Sequence, residues 1–144
     1  KHIEFCEQPM PANTPKEDLA WLKERSPLPL MADESCMNAS DIPHCAEFYH
    51  SVNVKLVKTA GISSGFETLK AAKKAGLKTM LGCMIESSVL ISAAAQLAEL
   101  TDYLDLDGNL LISNDPYIGP TAAKGMVSFA HAPTLAGLRV APRK

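Results

Sequence analysis

Long apolar runs are missing from this sequence. The longest, Val89 to Ala95 around Leu90 and Ile91, is interrupted by Ser92 and falls far short of the ~20 residues that a membrane span needs. No signal-peptide pattern precedes it, so a cytoplasmic protein is expected. Runs of Lys or Arg are also missing: the net charge is −2 and the pI about 6.1, which leaves no electrostatic footprint for nucleic acid or an anionic membrane. The four cysteines, Cys6, Cys36, Cys45 and Cys83, have neither CxxC nor Cys/His metal spacing. Three lie in or beside apolar stretches, so reduced and mostly buried thiols are expected. No Gly-rich phosphate loop follows any apolar segment, which argues against an open nucleotide-binding sheet. The chain also opens without Met, at Lys1-His2-Ile3-Glu4-Phe5, inside what reads as a strand, an unusual place for a domain to begin.

What is present is an ordinary globular balance, 47% hydrophobic and 21% charged over 144 residues, enough for a folded core. Five short apolar segments read as strands: His2–Cys6, Pro29–Ala32, Val52–Val57, Lys78–Gly82 and Tyr103–Leu106. Each begins about 25 residues after the last, the length of a strand, a helix and two short loops. The intervening stretches carry helix punctuation. Thr14-Pro15-Lys16-Glu17 offers an N-cap, Pro at the first helical position and an early Glu. Ser40 can cap a second helix with Pro43 in its first turn, and a third runs from about Ser63 to a stop at Gly76. A fourth, Ala-rich helix extends from Ser87 or Ser88 to Leu100. Repeated βα units make a parallel sheet covered by helices, as a closed barrel or a doubly wound sheet. A complete barrel needs about 250 residues, so the expected fold is α/β, either an incomplete barrel or a small open sheet.

Active sites of such barrels lie at the carboxyl ends of the strands, and each of these segments bears charge there. Glu7 follows the first segment, Asp33 and Glu34 the second and Glu86 the fourth, while Asp105 and Asp107 flank the end of the fifth. Each alone also reads as a solvated loop residue or a helix N-cap. Converging carboxylates with no His or paired Cys nearby suit a hard, oxygen-seeking cation such as Mg2+. Lys55 and Lys58 are three apart, so strand alternation sends only one of them inward. Lys55 shares a face with Asn53 and Val57; Lys58 sits beside Thr59-Ala60-Gly61, where water is a sufficient partner. An inward lysine near a metal has a lowered pKa and is a candidate general base; an outward one reaches water between helices.

The ordered set Phe5-Cys6-Glu7-Gln8-Pro9, Met31-Ala32-Asp33-Glu34-Ser35, Asn53-Val54-Lys55-Leu56-Val57-Lys58-Thr59-Ala60-Gly61, Gly82-Cys83-Met84-Ile85-Glu86-Ser87 and Asp105-Leu106-Asp107-Gly108 resembles the muconate-lactonizing branch of the enolase superfamily, and within it the dipeptide epimerases. The resemblance implies the C-terminal portion of a (β/α)8 barrel over residues 1–144, roughly its strands four to eight. The family's capping domain, its Lys-x-Lys strand and its first metal-binding Asp would lie upstream. It further implies Mg2+ held by Glu7 and Asp33, an acid/base at Lys55, and a substrate ammonium group held by Asp105 and Asp107. Cys83, Met84 and Ile85 would border the substrate. Where the family has Gly-Gly this chain has Ala60-Gly61, and Ala fits there only with negative φ, so a small local change is expected.

The activity implied is removal and return of the proton α to a carboxylate through an enediolate, with Lys55 on one face of the carbon and an upstream Lys on the other. The implied partners are a dipeptide, the N-terminal part of the same protein and, optionally, further copies in a homo-oligomer. Succinylbenzoate synthase, N-acylamino acid racemase or cycloisomerase chemistry is the nearest rival, because those substrates lack the cationic group that Asp105 and Asp107 would select. An inactive half-barrel fragment is a rival of another class, and Asp-Leu-Asp-Gly read as a mere turn would remove the charge argument.

Overall fold

A computed structural model describes residues 2–134 and 136–144. Its main sheet contains five parallel strands in the order of the sequence: β1 (Cys6–Glu7), β2 (Leu30–Ala32), β3 (Ser51–Lys55), β4 (Lys78–Gly82) and β5 (Tyr103–Leu104). Helices α1 (Lys16–Arg25), α2 (Ile42–Phe48), α3 (Ile62–Lys74) and α4 (Ser88–Ala95) alternate with them. This order settles the choice left open by the periodicity. A doubly wound sheet reverses direction at a switch point, whereas here every strand pairs with its predecessor, giving an arc of a barrel.

The two faces of the sheet follow from alternation. Leu30, Ala32, Val52, Val54 and Leu81 point outward into one cluster with Leu19, Cys45, Phe48, Leu69, Ala72 and Ile91 of the helices. Truncating such a fully buried Leu to Ala costs about 2–5 kcal/mol. The other face carries Met31, Asp33, Ser51, Asn53 and Met80, all buried although Met31 and Met80 are outside the helix-facing cluster. The inner side thus holds Asp33, Ser51 and Asn53, while Thr79, buried on the Leu81 side, is satisfied by Leu100 O and Asp102 Oδ2.

Several helix ends differ from expectation. Helix α1 starts after Pro15, which occupies the cap position without a side-chain cap; Thr14 is not the cap. Its acidic first turn and basic last turn still complement the helix dipole. Asn38, not Ser40, caps the 3-10 turn Ala39–Asp41 that leads into α2: Ser40 N donates to Asn38 Oδ1 at 2.9 Å and Asn38 N to Asp41 Oδ2 at 3.0 Å. Helix α4 ends at Ala95, and a separate 3-10 turn covers Ala98–Leu100. Asp115 caps α4 from far downstream, accepting from Ser88 N at 2.9 Å and Ser88 Oγ at 2.5 Å. Beyond β5 lie two small antiparallel ladders, β6 (Tyr117–Ile118) with β9 (Ala141–Pro142) and β7 (Thr121–Ala123) with β8 (Met126–Ser128). No helix is long and apolar enough to cross a membrane among the described residues.

Candidate active site

The carboxyl ends of β1 to β5 collect the charged residues singled out above. Asp33, just past β2, is buried, and each of its carboxylate oxygens meets a lysine: Lys55 Nζ lies 2.7 Å from Oδ2 and Lys58 Nζ 2.5 Å from Oδ1. Burial opposes ionisation of Asp33, yet the hydrogen bonds and charges of Lys55 and Lys58 outweigh it and hold the carboxyl below the usual carboxylate range. The Asp33 backbone is fixed as well. Gln8 Oε1 accepts from Asp33 N at 2.8 Å and from Ser35 N at 3.2 Å, tying the end of β1 to the loop after β2.

Lys58 departs from expectation, since it does not point away from Lys55 into water. Strand β3 ends at Lys55, and the chain then turns, with Lys58 N and Thr59 N both donating to Lys55 O. Alternation stops there, and the Lys58 side chain folds back over the strand end. Burial alone would depress the pKa of Lys55, but the Asp33 partner reverses this and the ammonium is held above its ordinary value. Among the described residues, Lys55 Nζ otherwise meets only Met84 Sδ, at 3.9 Å.

Glu7 is reached through Asn53, whose Nδ2 donates to Glu7 Oε1 at 2.6 Å. Asn53 is buried inside β3, and its Oδ1 has no hydrogen-bond partner among the described residues. Its amide lies against Gly82 of β4, where an added Cβ would come within 2.4 Å of Oδ1. Asn53, Gln8 and Lys58 are the residues not assigned from sequence that the structure builds into this cluster. Asn53 was legible as a polar residue on the Lys55 face.

On the far side of the arc, Cys83, Asp105 and Asp107 converge, their ligand atoms within 4.8 Å of one another. Burial and the neighbouring Asp107 charge push the Asp105 carboxyl up, and among the described residues no cation pairs with either aspartate. Burial raises the Cys83 thiol too, while Gly108 N donates to Cys83 Sγ at 3.3 Å. The two carboxylates present acceptors that a cationic hydrogen-bond donor can use. Met84 and Ile85 are exposed beside it. Glu86 accepts from Met84 N at 2.8 Å; its Oε2 is buried without a partner, and burial raises its pKa.

At the turn after Lys58, Ala60 has φ of 60° and Gly61 of 117°. Ala60 thus occupies the left-handed region, contrary to the negative φ expected, because the turn keeps its two-residue left-handed geometry and Ala absorbs the strain.

Comparison with known proteins adds an independent line. The sequence model of a family described as "Enolase C-terminal domain-like" matches residues 1–141. The chain is 66% identical over 140 residues to a protein of Pedosphaera parvula named L-Ala-D/L-amino acid epimerase, covering 97% of this chain and 40% of that protein. A protein of the same name from Flavobacterium johnsoniae is 46% identical over 129 residues, covering 90% of this chain and 38% of its own length. A crystal structure described as dipeptide epimerase from Cytophaga hutchinsonii complexed with Mg and the dipeptide D-Ala-L-Val superposes with a TM-score of 0.86 at 30% identity, covering 99% of this chain and 39% of that one. The chain thus spans about two fifths of the length of these relatives.

Proposed function

We propose, since this chain belongs to the enolase C-terminal domain-like family, that the complete enzyme containing it epimerises dipeptides by moving the proton α to a carboxylate. The observation that carries the dipeptide reading is the pair Asp105 and Asp107, two carboxylates brought together with no protein cation to balance them. Both carboxylates are exposed to a ligand, their mutual repulsion helps to raise Asp105 and is relieved by a cation bound between them, and the α-ammonium of an unblocked dipeptide has the charge and donors to serve as that cation. The names of the relatives agree with this class of reaction. Because the chain spans two fifths of their length, a capping domain and the first barrel strands are assigned to the N-terminal part of the same polypeptide.

Residues at the other side of the arc fit a divalent cation. Glu7 and Asp33 supply hard oxygens from adjacent strands, and Asn53 Nδ2 orients the Glu7 carboxylate from β3. Glu7 and Asp33, with a carboxylate from the N-terminal part, would hold Mg2+, which stabilises the negative charge that develops on the substrate carboxylate.

Lys55 accepts and returns the α-proton on one face of the carbon. A base must first be neutral, and the contact with Asp33 opposes that, so this ion pair opens before Lys55 acts. Nothing else anchors the lysine firmly, since its remaining contact is with the exposed Met84. A lysine of the N-terminal part serves the opposite face, as inversion requires. Cys83, Met84 and Ile85 border the substrate between the two charged ends.

Exchange of the substrate α-proton with deuterated solvent tests this reading in the complete enzyme. Wild type should exchange and epimerise a free dipeptide, Lys55→Ala should lose exchange on one face, and the N-acetyl dipeptide should react far more slowly. Asp107→Asn should narrow that preference, since breaking a desolvated charged contact costs about 2–5 kcal/mol. Equal rates on free and acetylated substrates in wild type would transfer the assignment to N-acylamino acid racemisation or cycloisomerisation.

A further inference from the structure

Two lysines grip one carboxylate, and they do so in different ways. Lys55 Nζ has a single oxygen acceptor, Asp33 Oδ2. Lys58 Nζ has three: Asp33 Oδ1 at 2.5 Å, the Asp33 carbonyl at 2.5 Å and the Asn53 carbonyl at 3.0 Å. An ammonium group has three protons to donate, so Lys58 is saturated. Two of its acceptors are main-chain atoms of β3 and of the residue just past β2, which cannot swing away as a side chain can. Its side chain is 11% exposed, and the turn over residues 56–59 that brings it back is closed by Lys58 N and Thr59 N on Lys55 O.

We propose that Lys58 is a positioning residue that fixes the Asp33 carboxylate for the cation, and that this leaves Lys55 as the lysine free to leave Asp33 and act on substrate. The inference rests on the reading of Asp33 as a cation ligand given above. The geometry explains why one carboxylate needs two ammonium groups. Lys58 sets the rotamer of Asp33 by binding its carboxylate and its own carbonyl at once, and through the Asn53 carbonyl it ties that rotamer to the strand whose Asn53 side chain holds Glu7. Both carboxylates are thereby referred to one residue of β3. Lys55 adds only its contact with Oδ2 and ties Asp33 to no main-chain atom. Groups that orient a metal's ligands without touching the metal typically change its affinity 10–100-fold when removed.

The test is Mg2+ titration calorimetry without substrate, combined with α-proton exchange at saturating Mg2+, on the complete enzyme and its variants. Lys58→Met should remain folded by circular dichroism and bind Mg2+ at least about tenfold more weakly. At saturating Mg2+ its exchange rate should return to within about tenfold of wild type, because the base is intact. Lys55→Ala should show the converse, with Mg2+ affinity equal to or tighter than wild type and exchange on its own face of the α-carbon lost at every Mg2+ concentration. Lys58→Arg, which keeps charge and several donors, should recover part of the affinity. If the apolar variant does not fold, Lys58→Gln, which can still donate to the two carbonyls, carries the same expected loss of affinity. A Mg2+ affinity in Lys58→Met or Lys58→Gln within twofold of wild type overturns the inference while leaving the epimerase reading intact. So does loss of exchange on one face in a Lys58 variant at saturating Mg2+ while Lys55→Ala still exchanges on that same face, since Lys58 would then be the base there. Wild type that binds no Mg2+ removes the cation reading and this inference with it.

Discussion

Gly108→Ala should damage the substrate end of the site out of proportion to its size. Gly108 is buried directly after Asp107, and a Cβ placed on it would lie 1.9 Å from the Met84 carbonyl oxygen and 3.1 Å from Cys83 Sγ. The first distance is about 1.5 Å short of ordinary contact, and its partner is main chain, so no rotamer change relieves it. The loops after β4 and β5 must separate instead. Overpacking of this kind costs about 1–3 kcal/mol of stability. The separation also breaks the Gly108 N to Cys83 Sγ hydrogen bond and draws Asp105 and Asp107 away from Cys83. A misplacement near 1 Å can cost about 100-fold in rate, so kcat/KM for a free dipeptide should fall by about that factor even where the protein remains folded. Thermal unfolding and steady-state kinetics on the complete enzyme measure the two effects separately. A stability change below about 0.5 kcal/mol together with unchanged kcat/KM would refute the close approach of the two loops and the placement of the aspartates that depends on it.

Ala60→Gly relieves a left-handed residue at φ 60° and should stabilise the protein by about 0.5–1 kcal/mol after the greater flexibility of unfolded Gly is set against it; an unchanged or lower Tm would mean that Ala60 carries no strain. Asp115→Ala removes the cap of α4 and should cost about 1 kcal/mol at neutral pH. Burial raises and the Ser88 hydrogen bonds lower the Asp115 pKa, with a net lowering, so this contribution is present above the ordinary Asp range and disappears as pH falls through the depressed folded value. Urea unfolding of wild type and Asp115→Ala should therefore converge in acid, and a difference independent of pH would exclude the ionised cap.

The barrel arc was legible because its signal is periodic and coarse. Five apolar segments about 25 residues apart leave little freedom in strand order once each unit must cross over with the same hand. Helix boundaries were less legible, and Asp115 shows the physical reason: the cap of α4 lies 27 residues past the Ser88 it serves, outside any local rule. The ladders after β5 went unassigned although Lys124-Gly125, with φ of 51° and 76°, is a two-residue hairpin turn between β7 and β8. Lys58 was misplaced because alternation was carried three residues beyond Lys55, where the strand had already ended. Thr59-Ala60-Gly61 was the available warning, since a turn that close leaves no room for the strand to continue.

Charge at the strand ends joins these particulars into one argument. Glu7, Asp33, Glu86, Asp105 and Asp107 stand there against Lys55 and Lys58, and both lysines are committed to Asp33. The two cations stand beside Asp33, the most deeply buried of these carboxylates, where desolvation of an unpaired charge costs most. Glu86 and Asp105 are pushed upward by burial, and among the described residues neither Asp105 nor Asp107 has an ion-pair partner. Added positive charge is therefore taken up most favourably between those two aspartates, whereas a cation at Asp33 has to share its oxygens with the lysines or displace one of them. On the epimerase reading proposed above, a dipeptide whose ammonium group lies between Asp105 and Asp107 and whose carboxylate is directed to a cation at Glu7 and Asp33 would lay its α-carbon along the arc, on the side that Lys55 faces once it leaves Asp33.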